Sequence, residues 1–275
     1  PRRYLGRPLG LMNLDNFKKI IDNIKDHVHV VLLYNTNEPL LNPHLGEMIK
    51  YASKQHLYTM VSTNATLLDE KKTDELLTVG LDEILLCLDG TTKESYEPFR
   101  VGADFDTVLK NIKHFCIEKQ RKHLNKPYVE IQFIVTKLNQ DQIPEMKKLA
   151  KELKTDRLRI KSLAVVEYAY TEQERKELME KFFPTRDDVK VRYEKNKTGA
   201  VNKRIVKECN TVKNQVSILV DGRTVLCCYD VRGEHVYGNL LEKSFLDIWF
   251  DPQNIEKRSI AESRKHILCT KCDLY

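Results

Sequence analysis

Five of the chain's seven cysteines lie in its last quarter: Cys209, Cys227, Cys228, Cys269 and Cys272. Cys269 and Cys272 form a C-x-x-C pair, whose sulfurs reach one metal centre from a single turn. Cys209, and Cys227 eighteen positions further on, complete four thiolates. That donor set suits zinc or an iron–sulfur cluster, and spacing alone does not choose between them. Cys228 directly follows Cys227 where a hairpin strand is expected to end. Neighbours on a strand point to opposite faces, so at most one of the two readily faces a common centre, and the plain reading of Cys228 is core packing beside it. The remaining two, Cys87 and Cys116, stand alone in apolar or helical stretches.

Elements that would hold these thiols are short. A hairpin is expected over 215–220 and 223–228 around Asp221-Gly222, a Gly-Asn turn at 238–239, and a helix in "SFLDIWF". Little apolar mass accompanies them, mainly Val216, Ile218, Val220, Val225, Leu246, Ile248 and Trp249. A metal staple would supply stability that so small a core lacks.

Residues 11 to 165 alternate between helical and strand periods. Strands are expected near 28–34, 57–62, 82–88, 128–135 and 157–162, with amphipathic helices between them and Gly80 closing one helix. Repeated βα units imply parallel strands. The fold class is α/β, a partial (β/α)6 TIM-like barrel lacking its first strand, followed by a small hairpin-plus-helix metal domain. The expected division is 1–165 for the barrel, 166–208 for a charged linker with one helix, and 209–275 for the tail. The alternation begins with a helix and the chain opens on Pro1 without methionine, so it is read as processed or as a fragment starting inside the first βα loop.

Across 275 residues, 46 Lys and Arg face 40 Asp and Glu, a mild net charge of +6. Basic blocks with interleaved aromatics are absent, so nucleic acid is not the expected partner. The apolar runs are too short to span a bilayer, no signal peptide opens the chain, and clustered cysteines point to a reducing, cytoplasmic setting.

The tail resembles the SPASM family. Cys209, twelve residues, Gly222, four residues and Cys227 are similar to its opening, and "GNLLEKSFLDIW" to its following segment. Since the chain ends soon after Cys272, the likeness is to the shortened, single-cluster "twitch" form. The resemblance implies one auxiliary 4Fe–4S cluster on Cys209, Cys227, Cys269 and Cys272. Such tails follow radical SAM enzymes, and the first 165 residues are similar to that core. "LYNTNEPLLNPHLGEMI" resembles the G-G-E-P motif that contacts the amino group of S-adenosylmethionine (SAM), with Asn37 standing where glycine is usual. "VSTNATLL" and "LCLDGTTKESYEPFRVGADFDTVLKNI" resemble two further segments of the family.

For the residues, the resemblance implies cofactor contacts at Asn37, Glu38, Pro39, Ser62, Asn64, Asp89 and Arg100. Glu38 would accept from the SAM ammonium; on residue type alone it reads as a strand-end salt bridge. Ser62 and Asn64 end a strand, where barrel enzymes place ligands and where turns also favour these types. Asp89 suits either a ribose or substrate contact or a turn with Gly90, and Arg100 either a carboxylate or a helix end. The family's C-x3-C-x2-C is not in this sequence. It is expected directly before Pro1-Arg2-Arg3, so the chain alone is expected to be inactive. The full-length protein is expected to hold a second 4Fe–4S cluster and SAM, to take electrons from flavodoxin or ferredoxin, and to act on a small polar substrate or peptide. The alternatives are a non-catalytic binding module with a four-cysteine zinc or iron–sulfur site, and a degenerate homologue that scaffolds a partner.

Overall fold

A computed structural model describes residues 10–165, 170–189, 193–195, 201–203, 208–270 and 272. The elements are, in chain order, α1 (Leu14–Ile24), β1 (Val30–Leu32), α2 (Leu45–Lys54), β2 (Tyr58–Thr63), α3 (Glu70–Thr78), β3 (Glu83–Cys87), α4 (Lys93–Tyr96), α5 (Phe105–Arg121), β4 (Tyr128–Val135), α6 (Ile143–Glu152), β5 (Arg157–Ser162) and α7 (Glu172–Phe182). Then come β6 (Tyr193–Lys195), β7 (Val201–Lys203), α8 (Thr211–Asn214), β8 (Ser217–Ile218), β9 (Arg223–Val225), β10 (Val236–Asn239), α9 (Phe245–Trp249), α10 (Pro252–Glu262) and α11 (Ile267–Thr270).

The described chain forms two compact units. One, His27–Leu163 with Phe182–Lys190, is built on a five-stranded sheet in the order β1-β2-β3-β4-β5. All four pairings are parallel, as the βα alternation requires. One face of the sheet is apolar: Val61, Ile84, Leu86, Ile131, Phe133 and Val135 are buried. Helices pack alongside it, α2 on β2 and α6 on β5. Burying side chains of this size contributes about 1.5–3 kcal/mol each. The five expected strands are present, with ends that differ by at most two residues.

The second unit joins α1 to Ala164–Lys181 and to the chain from Val191 onward. Helix α1 is capped by Asn13, whose Oδ1 accepts from the Asp15 and Asn16 amides at 2.9 and 3.2 Å. Such a cap contributes about 1 kcal/mol. Phe17, Ile20, Ile21 and Ile24 follow helical spacing and are all buried. Asn23 ties this helix to the tail: its Nδ2 donates to the Leu240 and Lys243 carbonyls, and its Oδ1 accepts from the Phe245 amide at 2.8 Å.

Three expectations for the later chain need correction. The segment 166–208 carries an antiparallel pair, β6 with β7, besides its helix. The hairpin's second strand stops at Val225, because Cys227 O accepts from the Asp230 amide and closes a turn. Gly238 and Asn239 lie within β10, paired to Thr224 and Arg223. The Asp-Gly turn stands as expected: Gly222 has φ +85°, and a Cβ there would meet Asn239 Oδ1 at 2.5 Å.

Candidate functional site

Parallel strands send all their following loops to one end of the sheet, so the loops after β1, β2 and β3 share that end. Glu38 caps a single 3-10 turn, Pro39–Leu41, in the loop after β1. Its Oε1 accepts from the Leu40 amide at 3.1 Å and from the Thr63 hydroxyl at 2.7 Å. Its Oε2 accepts from the Asn64 amide at 2.9 Å. Among the described residues Glu38 makes no salt bridge; hydrogen bonds hold the carboxylate. A carboxylate has about four acceptor positions, so the described donors leave roughly one, on Oε2.

The turn after β2 is closed from within. Asn64 Oδ1 accepts from the Thr66 amide and hydroxyl, at 2.9 and 2.6 Å. Thr63 Oγ1 also accepts from the Ala65 amide, and Ala65 has φ +59°, a left-handed conformation that an alanine adopts only when its surroundings enforce it. Asn111 secures it further by donating to the Ala65 carbonyl at 2.9 Å. Asn37 is exposed and Pro39 buried beneath the loop.

Asp89 and Arg100 meet each other. The Asp89 side chain is fully buried, and its Oδ2 accepts from Arg100 Nε at 2.6 Å and pairs with Nη2. Its Oδ1 accepts from the Ile134 amide at 2.6 Å. Burial works against the Arg100 charge, but the Asp89 carboxylate outweighs it and raises the guanidinium pKa. Asn139, fully buried, donates to the Asp89 and Ile134 carbonyls and so fixes the end of β3 against β4. Gly90 permits the close approach of α4, since a Cβ there would lie 2.9 Å from the Tyr96 amide nitrogen.

The sheet's other face is polar, and here the sequence reading missed residues. Strand register puts Glu130 and Gln132 of β4 beside Arg157 and Arg159 of β5. Glu130 is 0% exposed. Arg159 Nε lies 2.8 Å from Glu130 Oε1 but out of line for a hydrogen bond, so neither Glu130 oxygen has a hydrogen-bond donor among the described residues. Lys161 Nζ donates to Gln132 Oε1 at 3.3 Å, and Ser62 Oγ lies 3.6 Å from Cys87 Sγ. Tyr34 is within electrostatic reach of this face: burial, then Glu83, raises its pKa, and Arg159 opposes. The signal was present in "VEIQ" and "RLRIK", where polar residues recur at every second position of strands otherwise expected to be apolar on both faces.

In the second unit the tail cysteines draw together. Cys209, Cys269, Val212, Leu226 and Ala261 form one buried cluster, with Cys227, Tyr237 and Leu268 packed on it. Burial pushes the Cys227 thiol up to about 12, with Cys228 and Cys272 adding to the rise. Cys228 is raised by burial, then by Cys272 and by Cys209. All five thiols therefore border one region. None is in a disulfide, and Cys228 lies in the turn after β9, where strand alternation does not direct it away.

No three His, Cys, Asp or Glu side chains among the described residues approach closely enough to share a single metal ion. Zinc holds its thiolates at about 2.3 Å, which places the sulfurs within roughly 4 Å of one another. A cluster of several irons is wider. Buried thiols gathered in one region make a donor set suited to such a core.

Residues 2–123 match the radical SAM superfamily, and residues 209–273 match SPASM, an iron–sulfur cluster-binding domain. The tungsten-containing aldehyde ferredoxin oxidoreductase cofactor-modifying protein of Pyrococcus furiosus is 23% identical over 96% of this chain and 80% of its own length. The PqqA peptide cyclase of Gluconobacter oxydans is 31% identical over 46% of this chain and 34% of its own length. In three dimensions, Streptococcus suis SuiB bound to S-adenosylmethionine superposes with a TM-score of 0.65 at 17% identity, covering 97% of this chain and 66% of that one.

Proposed function

We propose, from the match of residues 2–123 to the radical SAM superfamily and of residues 209–273 to the SPASM iron–sulfur cluster-binding domain, that this chain serves reductive cleavage of SAM followed by hydrogen abstraction from a substrate. The carrying observation is the pairing of a parallel βα sheet with a tail in which five thiols border one region. When bound, a reduced 4Fe–4S cluster and SAM supply a 5′-deoxyadenosyl radical, and a second cluster in the tail supplies an electron acceptor.

The chain's own residues bind and orient. The end of the sheet carrying Glu38 and Asn64 is the proposed SAM contact. Glu38 takes the part of a positioning residue, since most of its acceptor capacity already fastens the β1 loop to β2. Its open Oε2 position would accept one hydrogen bond from the SAM ammonium. Asp89 and Arg100 neutralise each other, and Arg100, its side chain 30% exposed, retains donors for a ligand carboxylate. Ser62, Gln132, Arg159 and Lys161 give the polar sheet face the character to hold a small polar substrate or a peptide side chain.

In the tail, Cys209, Cys227, Cys269 and Cys272 are the proposed cluster ligands. Four thiolates would leave no open iron, which suits electron transfer and not substrate ligation. The proposed outcome is a two-electron oxidation of the substrate, in which one electron leaves with the abstracted hydrogen atom; a cluster held by the four cysteines would supply an acceptor for the second electron, with the accompanying proton lost to solvent. A flavodoxin or ferredoxin is the proposed reductant.

The experiment is anaerobic reconstitution with iron and sulfide, followed by metal and acid-labile sulfide analysis of the wild type and of each cysteine variant. Iron and sulfide bound by the wild type and lost from the four ligand variants support the reading. Zinc without sulfide overturns it in favour of a structural metal knob.

A further inference from the structure

Strand β10 pairs with β9 through Val236↔Val225 and Gly238↔Thr224, so Tyr237 is the extra residue of a β-bulge. Bulges re-aim a side chain and leave its backbone outside the ladder. Both consequences are visible. The Tyr237 carbonyl accepts from Asn254 Nδ2 at 3.0 Å instead of from a strand, and the side chain packs on the cluster formed by Cys209, Cys269 and Leu226, beside Cys227. Asn254 is itself buried and also donates to the Ile248 carbonyl at 2.9 Å. Arg258 closes the other side, its guanidinium 5.8 Å from the Tyr237 ring centroid and 4.0 Å from that of Trp249. Arg258 is held there by a bond from Nη2 to the Trp249 carbonyl.

The ring is thus fixed from several directions, yet its hydroxyl is buried with no hydrogen-bond partner among the described residues. A buried hydroxyl without a partner destabilises the fold, because it has given up its hydrogen bonds to water. A phenylalanine would fill the same space without that cost. The hydroxyl therefore has a use only if an acceptor arrives. Its ring packs against the Cys209 and Cys269 thiols with Cys227 beside them, while its charged neighbours are Arg258 and Asp230.

We propose that Tyr237 donates a hydrogen bond to sulfur at the cysteine site, either a bridging sulfide or the thiolate of Cys227 or Cys269, and thereby raises the reduction potential of the tail cluster. The inference rests on the reading of that site as a 4Fe–4S centre. The reason is electrostatic. Gaining one electron makes the cluster more negative and its sulfurs better acceptors, so a fixed donor stabilises the reduced form more than the oxidised one. No bond to a heavy atom forms or breaks, and the proton stays on the phenol oxygen. A tail with this donor accepts an electron more readily than one without it.

The test is a dithionite titration of anaerobically reconstituted full-length protein, followed by EPR, in wild type and Tyr237→Phe. The expected result is unchanged iron and sulfide content with a lower midpoint in the variant. A tenfold fall in the reduced-to-oxidised ratio at fixed potential corresponds to about 59 mV for one electron. Fluorotyrosine at position 237 keeps the ring and strengthens the donor, so it should move the midpoint upward and covers the case in which Tyr237→Phe loses its cluster. Equal midpoints in all forms overturn the inference while leaving the cluster in place. Absence of iron and sulfide from the wild type overturns the cysteine reading itself, and this inference with it.

Discussion

The Thr63 hydroxyl donates to the Glu38 carboxylate at 2.7 Å, which fastens the loop leaving β1 to the last residue of β2. The same oxygen accepts from the Ala65 amide, so one side chain holds both the loop and the left-handed turn beside it. Thr63 is 1% exposed, and water has little access to replace either bond.

Thr63→Val keeps the shape and removes the hydroxyl. It leaves a carboxylate oxygen and an amide short of partners, at an expected cost of about 1–3 kcal/mol. Chemical denaturation checks this through a lower midpoint at unchanged slope. SAM binding should weaken as well, because Glu38 loses the contact that sets its position.

Asp89→Asn removes the buried charge that balances Arg100. Breaking a buried ion pair on one side costs about 3–5 kcal/mol, and the partial exposure of Arg100 places the expectation at the lower end. Asp89→Asn with Arg100→Leu should recover part of that loss in a double-mutant cycle. Additive effects would show that the two residues do not act as a pair.

Asn23→Ala severs three hydrogen bonds between α1 and the segment 240–245. At about 1 kcal/mol each, the tail unit should lose roughly 3 kcal/mol. Hydrogen exchange at the Phe245 amide is a direct readout: its protection should fall in the variant, while amides of β3 and β4 keep theirs.

Single alanine variants of Cys209, Cys227, Cys269 and Cys272 are each expected to lose the tail cluster's iron, whereas Cys228→Ala is expected to retain it. Iron analysis after anaerobic reconstitution decides the point. Cys228 lies within electrostatic reach of Cys272 and Cys209, and Cys227 within reach of Cys272, so the reverse outcome would move the ligand role by one residue.

Cys116, buried in α5, has its pKa pushed up to about 12 by burial, with Lys119 opposing. Above pH ~9 the unfolded chain releases this proton while the folded chain keeps it, so the unfolded state binds fewer protons. Stability contributed by the neutral thiol is complete below that pH and should fall by up to about 1.4 kcal/mol per pH unit toward pH 12. Denaturation midpoints measured from pH 8 upward should fall less steeply in Cys116→Ala than in wild type.

What the sequence determined by itself was the kind and order of elements. Apolar period two and period 3.6 alternate through residues 11–165, and each period is a local property that survives without knowledge of partners. Gly222 is legible for the same reason, since an Asp-Gly pair states its own backbone need. The gathering of five cysteines in the tail, and the motif resemblance, marked the metal domain.

Only the tertiary structure decided what each polar group is bonded to. Glu38 is bonded to Thr63 and Asn64, and Asp89 holds Arg100, because strand register and loop closure bring those groups together. Asn23 finds its partners 217 or more residues away. The cysteine turn and the Tyr237 bulge follow from where the β9–β10 ladder breaks, and this depends on packing against α10. Periodicity states which side of an element is apolar. The partner of a hydrogen bond is set by the meeting of distant segments, and no local pattern records it.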